Sequence, residues 1–281
     1  CKRSVFRRFR NLIFNSGDLP RFFIYMSISL NFEQYHCEKQ NAPWVVLIHG
    51  LFGNLDNLAA LRRHLTDAFN VIAIDLPDHG ESPWVDTFTL ADCVSALIQV
   101  LDEQHIDKCH VVGHSLGGKV AMLTALTHPG RVDKLVPMDI APVTYPPHHQ
   151  SVFAGLKKVD LSSISGRKDA DSVMQTEIKI PGVRQFLLKS LYLDDDGQWQ
   201  WRFNVAGLEK DYANVGGFSA PESARFEGSV TFIKGGESDY ITRQHQAVIG
   251  KYFPNAKAKF VEGVGHWLHA EKPQVVNGLV E

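Results

Sequence analysis

Between a short strand-forming run at residues 110–112 and a helix-forming stretch at 116–127, stopped by Pro129, lies Gly113-His114-Ser115-Leu116-Gly117-Gly118. The six residues satisfy G-x-S-x-G in the strand–turn–helix context that a nucleophile elbow requires. Small residues two places before and two places after the serine permit a sharp turn. The serine itself is held in a strained conformation, with its hydroxyl above the sheet edge and a helix N-terminus behind it. A chain built on this turn needs a buried strand before Ser115, a packed helix after it, and a sheet around both.

The rest of the chain supplies that setting. Residues 44–48, 71–74 and 135–138 are continuous apolar runs of strand length, the pattern of strands buried on both faces. Ile28, Leu30 and Phe32 alternate with polar residues as in a half-buried strand. Residues 54–69 have helical spacing through Leu58, Leu61 and Leu65, and residues 89–105 through Leu90, Val94, Leu97, Ile98 and Leu101. The rhythm breaks at about residue 142. From there to 227 there are helical stretches and turns but no buried strand run, until 229–233 and 258–261 resume the sheet. Alternating strands and helices imply a mostly parallel sheet with helices on both faces. The expectation is an α/β-hydrolase fold, with a core of residues 26–141 and 228–281. Residues 142–227 are expected to form a helical cap over the sheet's carboxyl edge, where such sheets bind ligands.

Composition removes other classes. A hydrophobic share of 44% supports a sizeable core, and a net charge of −2 provides no basic field for nucleic acid. No apolar run approaches the ~18 residues that would predict a membrane span. Cys1, Cys37, Cys93 and Cys109 form no CxxC pair, which reads as reduced, intracellular packing cysteine. In residues 1–25, Lys2, Arg3, Arg7, Arg8, Arg10 and Arg21 face a single acid, Asp18. This segment reads as irregular and outside the fold, with a basic targeting or membrane-surface segment as the alternative. Met26 opens the part that reads as folded, and residues 272–281 end inside a helical pattern, as if the natural chain continued.

His49-Gly50-Leu51-Phe52-Gly53 directly follows the first buried strand. In a fold of this kind the oxyanion hole takes one backbone N–H from the residue after the nucleophile, Leu116, and one from this earlier loop, Leu51. The base must be a histidine carried to the same edge. His266, in a glycine-bounded loop after the last strand run, meets that need. His269, one turn later, reads as a packing residue, and His114 and His49 read as structural. His79 reads as a turn or rim residue, and His148 and His149 as solvated groups at the cap entrance. Two carboxylates compete for the acid. Ser238 falls in the usual slot of the loop Gly235-Gly236-Glu237-Ser238-Asp239, which leaves Asp239 one place late. Asp139, ending the strand at 135–138, emerges beside the strand that delivers Ser115.

Gly113 to Gly118, His49 to Gly53, Asp139-Ile140-Ala141-Pro142, Phe186-Leu187-Leu188-Lys189, Trp201-Arg202-Phe203-Asn204 and residues 265–273 together resemble the YbfF-type bacterial esterases. The resemblance runs from about Met26 to the end. It implies a cytoplasmic carboxyl-ester or acyl-CoA thioester hydrolase with no metal and no cofactor. It also implies a triad of Ser115, His266 and Asp139, with Ser238 assisting at the histidine. Pro137 departs from a regular strand, because proline donates no ladder hydrogen bond, and predicts a distorted strand end before Asp139.

The expected reaction is acyl transfer to water from a small-molecule ester or thioester through an acyl-enzyme. Phe186, Trp201 and Phe203 are candidate cap contacts to an apolar acyl chain. Arg202 is either a partner for a substrate anion or a structural ion pair. A lyase or C–C hydrolase would use the same triad, and a non-catalytic binding protein on this fold would not need it intact.

Overall fold

The computed structural model describes residues 28–280; the basic segment 1–25 and Met26, and the expectations about them, lie outside the described residues. Strand β1 (Phe32–Tyr35) is followed by β2 (Trp44–Ile48), helix α1 (Ala59–Leu65), β3 (Asn70–Ile74), α2 (Leu90–Glu103), β4 (Cys109–His114), α3 (Leu116–Thr127) and β5 (Val132–Met138). Next come α4 (Gln150–Lys158), α5 (Arg167–Met174), α6 (Pro181–Leu188), β6 (Leu191–Leu193), β7 (Trp199–Trp201), α7 (Val205–Lys210) and α8 (Tyr212–Gly216). The chain closes with β8 (Ser229–Gly235), α9 (Gln246–Tyr252), β9 (Ala256–Val261), α10 (Leu268–Glu271) and α11 (Pro273–Val280).

A seven-stranded sheet runs β1-β3-β2-β4-β5-β8-β9, parallel throughout except where β1 pairs antiparallel with β3. The central strands are apolar at successive positions because each face is covered. Val46, Ile48, Ile72, Ile74, Val111 and Leu135 pack with α2 and α3, while Val45, Leu47, Val71, Ala73, Val112 and Val136 pack with α1, α10 and α11. Period-two alternation therefore persists inside a continuous apolar run, with one set per layer. This is the α/β-hydrolase fold expected from the sequence.

Three local expectations shift. The first strand starts at Phe32 rather than Ile28, because the Asn31 backbone amide donates to Ser82 Oγ (2.8 Å) and its side chain to Asp75 Oδ2 (2.7 Å). The helix expected over 54–69 is a 3₁₀ turn, Leu55–Leu58, leading into the shorter α1. Between β5 and β8 the chain is not purely helical: β6 and β7 form an antiparallel pair in register Leu191 to Trp201. Three-residue strands with an exposed Leu193 leave little periodic signal. The inserted elements still join the main core through Phe153, Leu156, Leu187, Phe203, Leu208 and Val215.

Candidate active site

Strand β4 ends at the elbow. Ser115 has φ 51° and ψ −115°, in the region that side chains rarely occupy, and its amide donates to Met138 O of the neighbouring strand at 3.0 Å. Such conformations typically cost about 1–3 kcal/mol and persist where surrounding structure fixes them. Here glycine fixes it: a Cβ on Gly113 would lie 2.2 Å from Gly117 O, and one on Gly117 would lie 2.3 Å from Ile48 O. Helix α3 thus starts almost in contact with the ends of β2 and β4, and Ser115 is left half-buried beside a cavity.

The loop after β2 is held from beneath by two imidazoles. His49 Nε2 accepts from the Leu76 amide (3.0 Å), so its Nδ1–H donates to Gly50 O (2.8 Å). His79 Nε2 accepts from the Phe52 amide (3.1 Å) while Nδ1–H donates to Pro77 O (2.8 Å). Both rings must be neutral to accept, and burial keeps them so, pushing His49 down to about 4 and His79 to about 3. The rim position expected for His79 is corrected: it is fully buried and shapes the loop that carries Leu51.

Asp139 follows β5 directly, with φ 52°, and is fully buried. Its Oδ1 accepts from the Gly235 amide (3.0 Å), and its Oδ2 accepts from His266 Nδ1 (2.7 Å) and from Ser238 Oγ. Ser238 therefore bonds the carboxylate rather than the imidazole ring. The disturbance expected from Pro137 is confined to one side. Pairing with β4 continues through Gly113 to Pro137, whereas the β8 ladder joins at Lys134, Leu135 and Met138, and the Asp139 amide then donates to Ile233 O at 2.8 Å. Asp239 is exposed.

His266 sits in the loop between β9 and α10, on the same cavity as Ser115. Its carbonyl accepts from His114 Nε2 (2.8 Å), and burial holds the His114 imidazole well below its usual value, as expected of a structural group. With Nδ1 spent on Asp139, Nε2 is the ring nitrogen of His266 left to take a proton. His269 packs its ring on His114 at 4.3 Å. Burial pushes it down to about 4, so it remains a neutral packing group.

The family profile described as the alpha/beta hydrolase family matches residues 45–279. The chain belongs to this family. It is 40% identical over 253 residues to Esterase YbfF of Escherichia coli (strain K12), covering 89% of this chain and 96% of that one. It is 33% identical over 255 residues to the sn-1-specific diacylglycerol lipase ABHD11 of Danio rerio, covering 88% and 79% respectively. The solved structure of a marine microorganism esterase is 32% identical, with a TM-score of 0.85 over 90% of this chain and 98% of that one. The protein is therefore an α/β hydrolase of the esterase and lipase type.

For such a hydrolase the cavities matter as much as the polar groups. One is lined by Ser115, His266, Phe52, Val152, Phe186 and Trp267. A second adjoins Ser115 and Leu116 and is bordered by Lys119, Tyr145, Tyr212 and Tyr240. Leu51 borders both. Of the candidate substrate contacts Phe186, Trp201, Arg202 and Phe203, only Phe186 lines one of these two cavities. Trp201 and Phe203 are buried and stacked on each other at 5.4 Å. Arg202 pairs with Glu81 (3.1 Å) and lies over the Tyr192 ring (4.2 Å). His149, expected in solvent, is half-buried on both cavities with Nδ1 2.5 Å from Tyr212 Oη, and burial pushes it down to about 3.

Several site residues left no signal in the sequence. Lys119, four residues after Ser115, is buried and donates to Gly216 O (2.5 Å) and Gly217 O (3.0 Å) at the end of α8. It ties the inserted segment to α3, and burial pushes its amine down to about 7. Among the described residues no helix is long and apolar enough to cross a membrane.

Proposed function

We propose that the protein is a serine hydrolase of carboxyl esters or acyl-CoA thioesters, acting through an acyl-enzyme on small to medium apolar acyl groups. The observation that carries this reading is the His266 Nδ1–Asp139 Oδ2 bond at 2.7 Å, with Ser115 on the strained elbow of the same cavity. Ser115 Oγ attacks the acyl carbonyl while His266 Nε2 takes its proton. Asp139 fixes the imidazole tautomer and balances the imidazolium, and Ser238 holds the carboxylate. The backbone amides of Leu51 and Leu116 stabilise the oxyanion, each worth about 3–4 kcal/mol in the transition state. His266 then protonates the leaving alcohol or thiol, and water releases the acid by the reverse sequence.

The segment between β5 and β8 serves as the cap, residues 142–227, and Val152, Val183, Phe186 and Leu187 offer the acyl group an apolar wall. Relatives named esterase and lipase support an ester substrate. A cytoplasmic setting is supported by Cys37, Cys93 and Cys109, all free thiols.

The test is hydrolysis of esters and acyl-CoA thioesters of graded chain length, with fluorophosphonate labelling. Wild type is expected to label and to turn over one of the two series. Ser115→Ala is expected to do neither, losing about 10⁶ in kcat at unchanged melting temperature. Labelling of Ser115→Ala, or hydrolysis above a thousandth of the wild-type rate, removes the assignment.

A further inference from the structure

Tyr240 lies two residues beyond Ser238, in the loop after β8. Its ring sits face to face on the His266 imidazole, with centroids 3.8 Å apart and planes 15° from parallel. Neutral aromatic pairs more commonly sit offset or edge-on with centroids about 4.5–7 Å apart, so this contact is unusually close. The other rings against His266 follow that preference: His114 at 4.7 Å and 43°, Trp267 at 5.9 Å and 67°. A cation over a ring face is attracted to it. We propose that Tyr240 is a positioning residue whose ring face holds His266 and stabilises the imidazolium formed when His266 takes the Ser115 proton. This inference rests on the reading of His266 as the base.

The ring is fixed independently of His266. The Tyr240 amide donates to Ser238 Oγ (3.2 Å), its carbonyl accepts from Tyr145 Oη (2.5 Å), and its own hydroxyl meets His148 Nε2 (2.5 Å). Tyr145 is anchored in turn by the Ala141 amide at 2.9 Å, two residues after Asp139. The acid, Ser238 and the Tyr240 face thus form one connected frame around the imidazole. Burial pushes the Tyr240 phenol up, so the ring presents a neutral π-face. The other titratable groups facing His266 are Asp139 at Nδ1 and the imidazoles of His114, His149 and His269, which burial keeps uncharged. Asp139 supplies the anion in the plane of the ring, and Tyr240 supplies the π-face above it.

A π-face that stabilises the imidazolium favours the protonated ring over the free base, so its loss moves the acidic limb of kcat/KM to lower pH. The experiment measures that limb on an activated aryl ester for Tyr240→Phe, Tyr240→Leu and a near-isosteric replacement by pentafluorophenylalanine, whose ring quadrupole is reversed. Tyr240→Phe is expected to keep the limb and most of kcat. Tyr240→Leu and the fluorinated ring are expected to lower the limb by about half to one unit and kcat about tenfold, with little change in KM. The fluorinated ring preserves the packing, so it decides the matter if Tyr240→Leu folds poorly. A limb left in place by the fluorinated ring, or moved equally by Tyr240→Phe, overturns the inference, even if kcat falls. His266→Ala is measured alongside. Activity retained there removes the assignment of the base itself, a different failure from an unmoved limb.

Discussion

The carboxyl edge of the sheet and the segment inserted above it hold their polar groups by different means. At the edge, most polar side chains are tied to backbone of the strand ends and of the loops that follow them. Asp139 takes the Gly235 amide, His114 donates to His266 O, and His49 and His79 accept from the Leu76 and Phe52 amides. In the insertion, side-chain partners are added at the cavity: His149 meets Tyr212 and His148 meets Tyr240, while His148 and Tyr145 also reach backbone. Backbone-tied groups tolerate no displacement without disturbing the sheet, which suits chemistry that must hold geometry closely. Side-chain pairs can be exchanged with little change to the sheet, which suits the substrate-selecting role proposed for the insertion.

The sharpest way to break this contrast lies at Asp139. Asp139→Asn is expected to lower kcat by about 10⁴, because it removes the charge balancing the imidazolium and favours the wrong tautomer. Ser238→Ala removes one of three donors to the carboxylate, so a loss of about tenfold is expected. Asp239→Asn, at an exposed site, is expected to stay within about twofold. The measurement is kcat at matched melting temperature. If Asp239→Asn were the most damaging, the frame built around Asp139 would be the wrong one.

The same contrast explains what was legible in the sequence. Runs such as Val45–Val46–Leu47–Ile48 announce strands because burial on both faces demands apolar residues at every position. Glycines at 113 and 117 announce the elbow because no Cβ fits there. Ser115, His266 and Asp139 each follow a strand, so the order of strands along the chain places them at one edge. Tyr240, Lys119 and His149 have no such marker. Their roles depend on which ring or carbonyl lies opposite in space, and nothing in local spacing encodes that. The burial of His79 lacks a marker for a related reason: its turn is legible, but its acceptor role to Phe52 depends on a residue distant in the chain. The hairpin of β6 and β7 escaped because three-residue strands carry too short a pattern to separate from a turn.

A second difference between the regions is titration. The edge holds His49, His79, His114 and His269, all pushed down by burial, whereas the half-buried His149 is the inserted segment's counterpart. A histidine with a depressed folded value is neutral in the native state, while the unfolded chain protonates as pH falls through about 6.5. Stability is therefore complete above about pH 6.5 and falls below it, by about 1.4 kcal/mol per pH unit for each such histidine, until the folded values near 3 to 4 are reached. Asp75 and Asp78, whose carboxyls burial pushes up, act in the opposite sense lower in the range. Thermal melting followed from pH 7.5 to about 5 is expected to show a steep decline. His79→Gln, which keeps an acceptor for the Phe52 amide, is expected to reduce the slope by about one proton. A flat profile over that window would mean that these rings are protonated in the folded protein.

The smallest effects separate two residues of the insertion that the sequence placed together. Phe186 lines the cavity beside Ser115, whereas Arg202 spans from β7 to the loop after β3, pairing with Glu81 across the boundary between insertion and core. Phe186→Ala removes apolar wall from the acyl side. Each methylene of substrate that loses contact is worth up to about 0.8 kcal/mol, so kcat/KM should fall about tenfold for longer acyl chains and barely at all for acetyl esters. Arg202→Ala breaks a partly exposed ion pair and a stacking contact with Tyr192, which together amount to about 1 kcal/mol or less of stability. Because Arg202 faces Glu81 and Tyr192 rather than a cavity, its loss should leave kcat/KM within about twofold for neutral substrates and for esters bearing a carboxylate alike. The decisive comparison is the ratio of those two substrate classes in the two variants. A selective loss of the anionic ester in Arg202→Ala would place that guanidinium on the substrate and shift the boundary between packing and recognition from α6 to the hairpin.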